Sequence, residues 1–217
     1  MKMKTLLTSA ALVFGLSTTA VIAGDLKVKI TPKLASVDVM HNGQKVTIQR
    51  NQDNNNVVNP AFAKTSRNCP PFCINPMVLA PGVETLGEVE VLDYLKKMSD
   101  GDKTILVIDS RTPDWVKRGT IPGAVNIPWT KLSVKKGADP ISIAEIVTGP
   151  FGAKELDDDK FDYANAKTLV LFCNGMWCGQ SPNNIRTLLK MGYPAEKIKW
   201  YRGGMQNWEN LGFTTAK

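Results

Sequence analysis

A cysteine placed directly after an apolar run is the first feature of this chain with chemistry in it. In LVLFCNGMWCGQSPNNI, residues 169–185, Cys173 follows Phe172, and Cys178 comes five positions later. The apolar run reads as a strand buried on both faces. SPNNI reads as a helix start, with Ser181 as N-cap and Pro182 as the first helical residue. A thiol at the carboxyl end of a buried strand, ahead of a helix, sits where open α/β folds gather ligands. Unpaired N–H groups and partial positive charge at a helix start favour a thiolate, lowering its pKa and raising its reactivity. Gly175 and Gly179 let the loop turn its amides inward around an anion. The expectation is an anionic Cys173 in an open pocket, held by peptide dipoles rather than by a basic side chain. The alternative is a buried structural cysteine at a strand end.

The remaining cysteines form a second tight pair, Cys69 and Cys73 in NCPPFC, about a hundred residues upstream. Two cysteines five apart across a glycine-containing loop come within disulfide range, with Cα atoms about 4.4–6.8 Å apart, so Cys173 and Cys178 form either a dithiol or a disulfide. A polyproline stretch would hold Cys69 and Cys73 about 12 Å apart at ~3.1 Å per residue, too far to bridge. A Cys69–Cys73 disulfide therefore requires a tight turn, with a cis X-Pro bond as one route. It would clip the N-terminal segment to the main domain, or lie over the Cys173 loop and exchange with it. The spacings do not suit a four-thiolate zinc site, and no metal or other cofactor is expected. The single histidine, His41, lies in the hairpin-turn sequence HNGQ and reads as a turn residue. One histidine argues against Cys-His proteolysis, and neither cysteine pair has the spacing for haem attachment.

The chain has 217 residues. Residues 1–23 read as a secretory signal peptide: Lys2 and Lys4, the apolar Leu6 to Leu16, then Val21 and Ala23 before Gly24. The apolar stretch is shorter than the roughly 20 residues a membrane span needs. The expectation is a periplasmic or secreted protein with no membrane attachment after cleavage. Four cysteines suit that oxidising setting. A formal charge of +7, with no Lys/Arg-rich block, implies a solvated surface and no nucleic-acid partner. Hydrophobic content of 43% is enough for a packed core.

The elements that must position the thiols follow from periodicity. LKVKI, SVDVM and KVTIQR alternate as strands, so residues 24–78 read as a β-rich N-terminal extension ending in the CxxxC connector. Residues 79–217 read as the main domain. TLGEVEVLDYLKKM carries Val89, Leu92, Leu95 and Met98 near helical spacing. TILVID, GAVNIPW, KTLVLF and KIKWY read as strands. Helices are expected near 141–148, over 182–192 and from GGMQNWENL. Alternating strands and helices argue for an α/β fold with a parallel sheet covered on both faces.

Three blocks in this order resemble the rhodanese (thiosulfate sulfurtransferase) family. VIDSRTPDWVKRGTIPGAVNIPW (107–129) is similar to the family's front signature, LVLFC with its loop and helix to its active-site strand, and WYRGGMQNWENLGF (200–213) to its closing signature. The resemblance covers residues 85 to 215. It implies a three-layer fold with a five-stranded parallel sheet flanked by helices. It also implies a cysteine, here Cys173, that takes sulfane sulfur as a persulfide and passes it to a nucleophile. The amides of Asn174, Gly175, Met176, Trp177, Gly179 and Gln180 would form the binding cradle, in the manner of an oxyanion hole. Asp109 and Arg111 would brace the sheet beside it. The loop departs from the family pattern: Ser181 lies eight residues after Cys173, no Lys or Arg falls between them, and Cys178 stands where the loop cation is usual. That weakens thiosulfate as a substrate and argues against phosphatase activity. Arg202 is the candidate to supply charge from the last strand's loop. Phe72, Met176 and Trp177 are candidates for an apolar rim.

The expected partners are a small sulfur-containing anion or thiol, with a protein thiol or reductase to restore the dithiol. Three functions compete: an exported sulfurtransferase, a thiol–disulfide redox protein using Cys173 and Cys178, and a non-catalytic binding module on the same scaffold.

Overall fold

A hairpin opens the described chain. The computed structural model describes residues 26–157 and 160–217; the export signal read at 1–23 lies outside them. Strands β1 (Ser36–His41) and β2 (Gln44–Gln49) pair antiparallel through Asn42-Gly43, both at positive φ (49° and 77°). Two left-handed residues give the turn whose twist matches the flanking strands, which is why Asn-Gly serves there. Val37, Val39 and Ile48 face inward. His41 does more than turn the chain: its Nδ1 accepts the Gly123 N–H at 3.1 Å. Burial lowers its pKa, consistent with an unprotonated acceptor nitrogen.

The LKVKI segment, expected as a strand, is a series of bends. The Gln52 side chain takes both backbone groups of Val28, accepting its N–H at 3.0 Å and donating to its carbonyl at 2.9 Å. A side-chain amide thus does the work of a neighbouring strand.

The main sheet has five parallel strands: β3 (Glu84–Leu86), β4 (Ile105–Asp109), β5 (Val125–Asn126), β8 (Thr168–Phe172) and β9 (Ile198–Tyr201). Their spatial order is β3-β9-β8-β4-β5. A separate antiparallel pair, β6 (Lys154–Glu155) and β7 (Phe161–Asp162), lies between β5 and β8 in sequence. The helices are α1 (Glu88–Ser99), α2 (Pro113–Val116), α3 (Pro140–Thr148), α4 (Gln180–Lys190) and α5 (Gly204–Asn210).

Alternation along the strands sorts the core into two layers. Val107, Val170, Phe172 and Tyr201 pack with Val91, Leu92 and Leu95 of α1 and Met205 and Trp208 of α5. Leu106, Ile108, Leu169, Leu171, Ile198 and Trp200 pack with α3 and α4 on the opposite face. The result is the three-layer α/β arrangement that the resemblance implies. The apolar face of α1 is set by Val91, Leu92 and Leu95, not by Val89, which is 47% exposed. Positions 89 and 91 lie about 200° apart around a helix, so only one of them can face the sheet.

The N-terminal extension shares the α1/α5 core, its hairpin contributing Val37, Val39 and Ile48 and its short 3-10 turn Pro60–Phe62 contributing Phe62 to one cluster. Asn51 N–H donates to Gly212 O at 2.6 Å and Thr214 N–H to Gln49 O at 3.0 Å, joining the extension to the chain's end. Among the described residues no helix is long and apolar enough to cross a membrane.

Candidate functional site

Strand β8 delivers Cys173. Leu169 to Phe172 are fully buried, and the parallel neighbours β4 and β9 end at the same level, in Asp109 and Tyr201. The loop after Cys173 is pinned from the other side by α5. Met205 N–H donates to Cys173 O at 3.0 Å and Gln206 N–H to Asn174 O at 2.9 Å. Gly204, at φ +55°, lets this helix approach: an added Cβ would lie 2.2 Å from Cys173 O and 2.8 Å from Gly175 N.

Several donors converge on Cys173 Sγ. The Ser181 hydroxyl donates at 3.1 Å, and Trp200 Nε1 donates in turn to Ser181 Oγ at 3.2 Å. The Cys178 thiol and the amides of Ser181 and Gly175 also stabilise its anion. In the neutral state the thiol donates to Cys178 O at 3.5 Å. Burial works most strongly against ionisation here. The hydrogen bonds from Cys178, Ser181 and Gly175 together outweigh it and hold the thiol at about 7, well below the ordinary thiol range. Burial pushes Cys178 the other way, and its donation to Cys173 reinforces that rise. The pair is therefore asymmetric, with the proton residing on Cys178 and the charge on Cys173. Both are free thiols.

Two expectations need correction. The open pocket is closed: Cys173 is 2% exposed and Cys178 3%. The cradle is also more selective than a full ring of loop amides. Cys178 N–H is spent on Gly175 O at 2.9 Å, and the Gln180 and Asn174 amides favour the anion of Cys178 instead. Helix α4 begins at Gln180 with Gly179 as N-cap, so Ser181 lies inside the first turn. That register frees its hydroxyl for Cys173 instead of a backbone cap.

The other residues singled out from sequence fall around this centre. Asn174 is buried, with Oδ1 3.5 Å from Arg111 Nη1. Trp177 Nε1 donates to Gln206 Oε1 at 2.7 Å, and Gly175 lies so close to both that a Cβ would sit 3.0 Å from Gln206 Oε1. Gly179 has open space around it. Gln180 Oε1 is buried without a hydrogen-bond partner.

Asp109 and Arg111 form a fully buried pair. Nη2 lies 2.6 Å from Oδ2, and Nε donates to Oδ1 at 2.9 Å. Thr120 Oγ1 donates to Asp109 Oδ2 at 2.7 Å, and Arg111 Nη2 donates to Gly119 O at 2.7 Å. A buried pair stands only when its remaining lone pairs and protons are met like this. It braces the ends of β4 and β5 beside Asn174. Arg202 does not reach the sulfur centre. Its Nε and Nη2 both donate to Asn75 O, at 3.1 and 2.9 Å.

Asn75 leads to the cover. Cys69 and Cys73 form a disulfide with Cα atoms 4.6 Å apart, in a turn holding cis Cys69–Pro70 and Pro70–Pro71 bonds. Asn75 N–H and Nδ2 donate to Met176 O at 2.9 and 3.0 Å, and Nδ2 also donates to Cys178 O at 3.1 Å. Phe72 meets Trp177 edge-on with centroids 5.7 Å apart. Ser181, Asn75, Gln206, Trp200 and Gly204 were not identified from sequence as site residues. Ser181 lay in the stretch that follows Cys173, and Trp200, Gly204 and Gln206 lay in the closing signature; Asn75 lay in none of the three blocks.

The depressed thiol predicts a pH profile. A lowered pKa means that the Cys173 thiolate is present above about 7 and lost below it. The thiolate ultraviolet absorbance that disappears in Cys173→Ser is expected to titrate near that pH. Ser181→Ala removes a donor to the anion and should move the midpoint upward. An unmoved midpoint would show that the hydroxyl does not stabilise the charge.

The chain is similar to several solved structures. A Rhodopseudomonas palustris protein of unknown function, described as a possible tyrosine phosphatase, is 18% identical over 64% of this chain and 88% of its own, with a TM-score of 0.41. The thiosulfate sulfurtransferase of Pseudomonas aeruginosa is 20% identical over 62% of this chain and 20% of its own, at 0.39. The polysulfide-sulfur transferase homodimer of Wolinella succinogenes is 18% identical over 64% and 81%, at 0.38. No curated protein sequence matches the chain. The rhodanese-like domain model matches residues 91–211, which spans β4, the Asp109–Arg111 brace, the Cys173 loop and the turn into α5. This chain belongs to the rhodanese-like domain family.

Proposed function

We propose that the chain is an exported sulfurtransferase that carries sulfane sulfur on Cys173. The observation that carries this reading is the convergence of Ser181 Oγ, the Cys178 thiol and two backbone amides on one sulfur. A persulfide is an anion of the same kind one atom longer, and the same donors stabilise it. In loading, the Cys173 thiolate attacks the outer sulfur of a donor R–S–SH. A sulfur–sulfur bond forms at Cys173, the donor's bond breaks, and RS⁻ leaves. In transfer, an acceptor thiolate or other nucleophile takes that outer sulfur and returns Cys173 as a thiolate. No oxidation state changes overall.

The charge balance points to donor class. No Lys or Arg lies between residues 173 and 181, and Arg202 is engaged by Asn75. Persulfides, which carry a single charge, fit this site better than thiosulfate, a dianion. The free Cys178 supports a second, linked activity. Attack by Cys178 on the inner sulfur of a Cys173 persulfide forms a Cys173–Cys178 disulfide and releases sulfide. The dithiol must then be restored by a thiol reductant.

Intact-mass analysis tests the reading. Protein reduced with a dithiol, desalted and incubated with polysulfide is expected to gain the mass of one sulfur atom on Cys173. Cyanide should remove it as thiocyanate. Failure to gain sulfur, with Cys173 still free and alkylatable, would overturn the assignment.

A further inference from the structure

Sulfur carriage alone does not call for the segment 67–75, yet this segment lies across the loop that carries the site. Its contacts fall on the loop that holds both buried thiols. Asn75 donates three hydrogen bonds to the carbonyls of Met176 and Cys178. Arg202 holds Asn75 in place through its carbonyl. The Arg67 guanidinium stacks 3.7 Å from the Trp177 ring centroid, and Phe72 closes on the same indole. The loop beneath these groups holds Cys173, which is 2% exposed, so no donor molecule reaches its sulfur in this arrangement.

The cover is thinly held by packing. Phe72 is 43% exposed and Ile74 64%, so burial of its own apolar side chains contributes little to keeping it down. What orders it is the short ring closed by Cys69 and Cys73, tightened by the Phe72 N–H to Asn68 O bond at 3.0 Å. A disulfide acts chiefly by restricting the alternatives open to the chain between its ends. Both of its cysteines are solvent-exposed, whereas the two thiols under the cover are buried. The one disulfide among the described residues is thus the cysteine pair that an external thiol meets first.

We propose that Cys69–Cys73 is a thiol-exchange site for an external dithiol reductant, and that its reduction releases the 67–75 cover and opens Cys173 to the sulfur donor. The first thiolate of the reductant attacks one exposed sulfur, forming a mixed disulfide and freeing the other cysteine as a thiolate. The second reductant thiol displaces the first cysteine and leaves as an intramolecular disulfide. Two electrons pass from the dithiol, and Cys69 and Cys73 end as thiols. The reverse exchange with an external disulfide, which takes up the two electrons and leaves as a dithiol, restores the ring, reseats Asn75 and Phe72, and shields the reactive thiolate. The proposal gives the gate a purpose through the sulfur-carrier reading of Cys173, but the gating itself is measurable without any sulfur transfer.

The experiment follows the alkylation rate of Cys173 by iodoacetamide in the full chain, with peptide mapping to separate it from the other cysteines. The C69S/C73S variant is expected to react at least about tenfold faster than the oxidised wild type, the change that about 1.4 kcal/mol of lost cover stability supplies. Wild type reduced with dithiothreitol and desalted should match the variant, and the variant should not respond to that treatment. Asn75→Ala, which keeps the disulfide but removes its side-chain hydrogen bonds to the loop, should also react faster. Equal Cys173 rates in oxidised and reduced wild type, with Cys69 and Cys73 shown to be free in the reduced sample, would overturn the proposal even if the double variant fails to fold. A chain that shows the gated rate but never gains sulfur would overturn the sulfurtransferase reading and leave the gate standing.

Discussion

Cys173→Ser is expected to lose sulfur loading and thiocyanate formation by about three orders of magnitude or more, the scale on which removal of an attacking nucleophile acts. The substitution replaces one small group by another at a buried site, and the new hydroxyl still has Ser181 Oγ and Cys178 O as partners. Folding stability should therefore change little, and the melting temperature measured beside the activity makes that check. What disappears is the anion. A serine hydroxyl does not ionise near neutral pH, so the donors that hold Cys173 at about 7 have no charge to hold. Cys178→Ser has a different signature. Its thiol is the proton-bearing member of the pair, and its removal takes away the group that would attack a persulfide at the inner sulfur. Loading should survive, the persulfide should last longer, and sulfide release should fall. A Cys173→Ser protein that still gains one sulfur would place the carrier elsewhere and overturn the site assignment.

How much of this site was legible in sequence depended on whether a feature was local. The strand ending at Cys173 was readable because a strand buried on both faces is a run of apolar residues with no alternation. Helix α4 was readable from its flanking punctuation, although its start was misplaced by two residues: SPNNI has a serine and a proline in suitable order, and the preceding Gly179-Gln180 carries no comparable signal. The three-residue β3 was not readable. It is an edge strand in a segment of turn-formers, and it becomes a strand only because β9 offers it partners. Val28 failed in the opposite sense, alternating like a strand while its backbone was claimed by Gln52 from 24 positions away. The cover is a mixed case: a place over the Cys173 loop was one of two readings of NCPPFC, but the contacts that seat it were not readable. Asn75 and Met176 are 101 residues apart, and nothing in either local sequence announces that one will hydrogen-bond the other. Arg202 is the same lesson for charge. Its position beside the closing glycines suggested a substrate contact, but a carbonyl brought in by the cover takes its guanidinium.

Gly204→Ala is the substitution expected to damage the site most without touching a reactive atom. The residue sits at φ +55°, where a side chain costs about 1–2 kcal/mol relative to glycine. The added Cβ would then lie 2.2 Å from Cys173 O and 2.8 Å from Gly175 N. Both are backbone atoms, so no flexible side chain can move aside. Relief must come from separating α5 and the Cys173 loop, and overpacking of this kind costs about 1–3 kcal/mol more. That separation breaks the two bonds that fix the loop, Met205 N–H to Cys173 O and Gln206 N–H to Asn174 O. It also moves Gly175, whose amide stabilises the thiolate. The expected result is a loss of about 2–5 kcal/mol in denaturant unfolding, the sum of these two costs. In the fraction that still folds, the Cys173 midpoint should move upward. Gly203→Ala is the informative neighbour, because its φ of -60° suits any residue and its Cβ would meet only the Asn207 side chain, 2.8 Å from Nδ2 and 2.9 Å from Cβ, so relief comes from a shift within α5 and not from parting α5 and the Cys173 loop. It should cost less and leave the thiol titration in place. If Gly204→Ala unfolds at the wild-type denaturant concentration and titrates at the wild-type pH, then α5 does not set the loop, and the backbone contribution to the Cys173 anion would have to be independent of that helix.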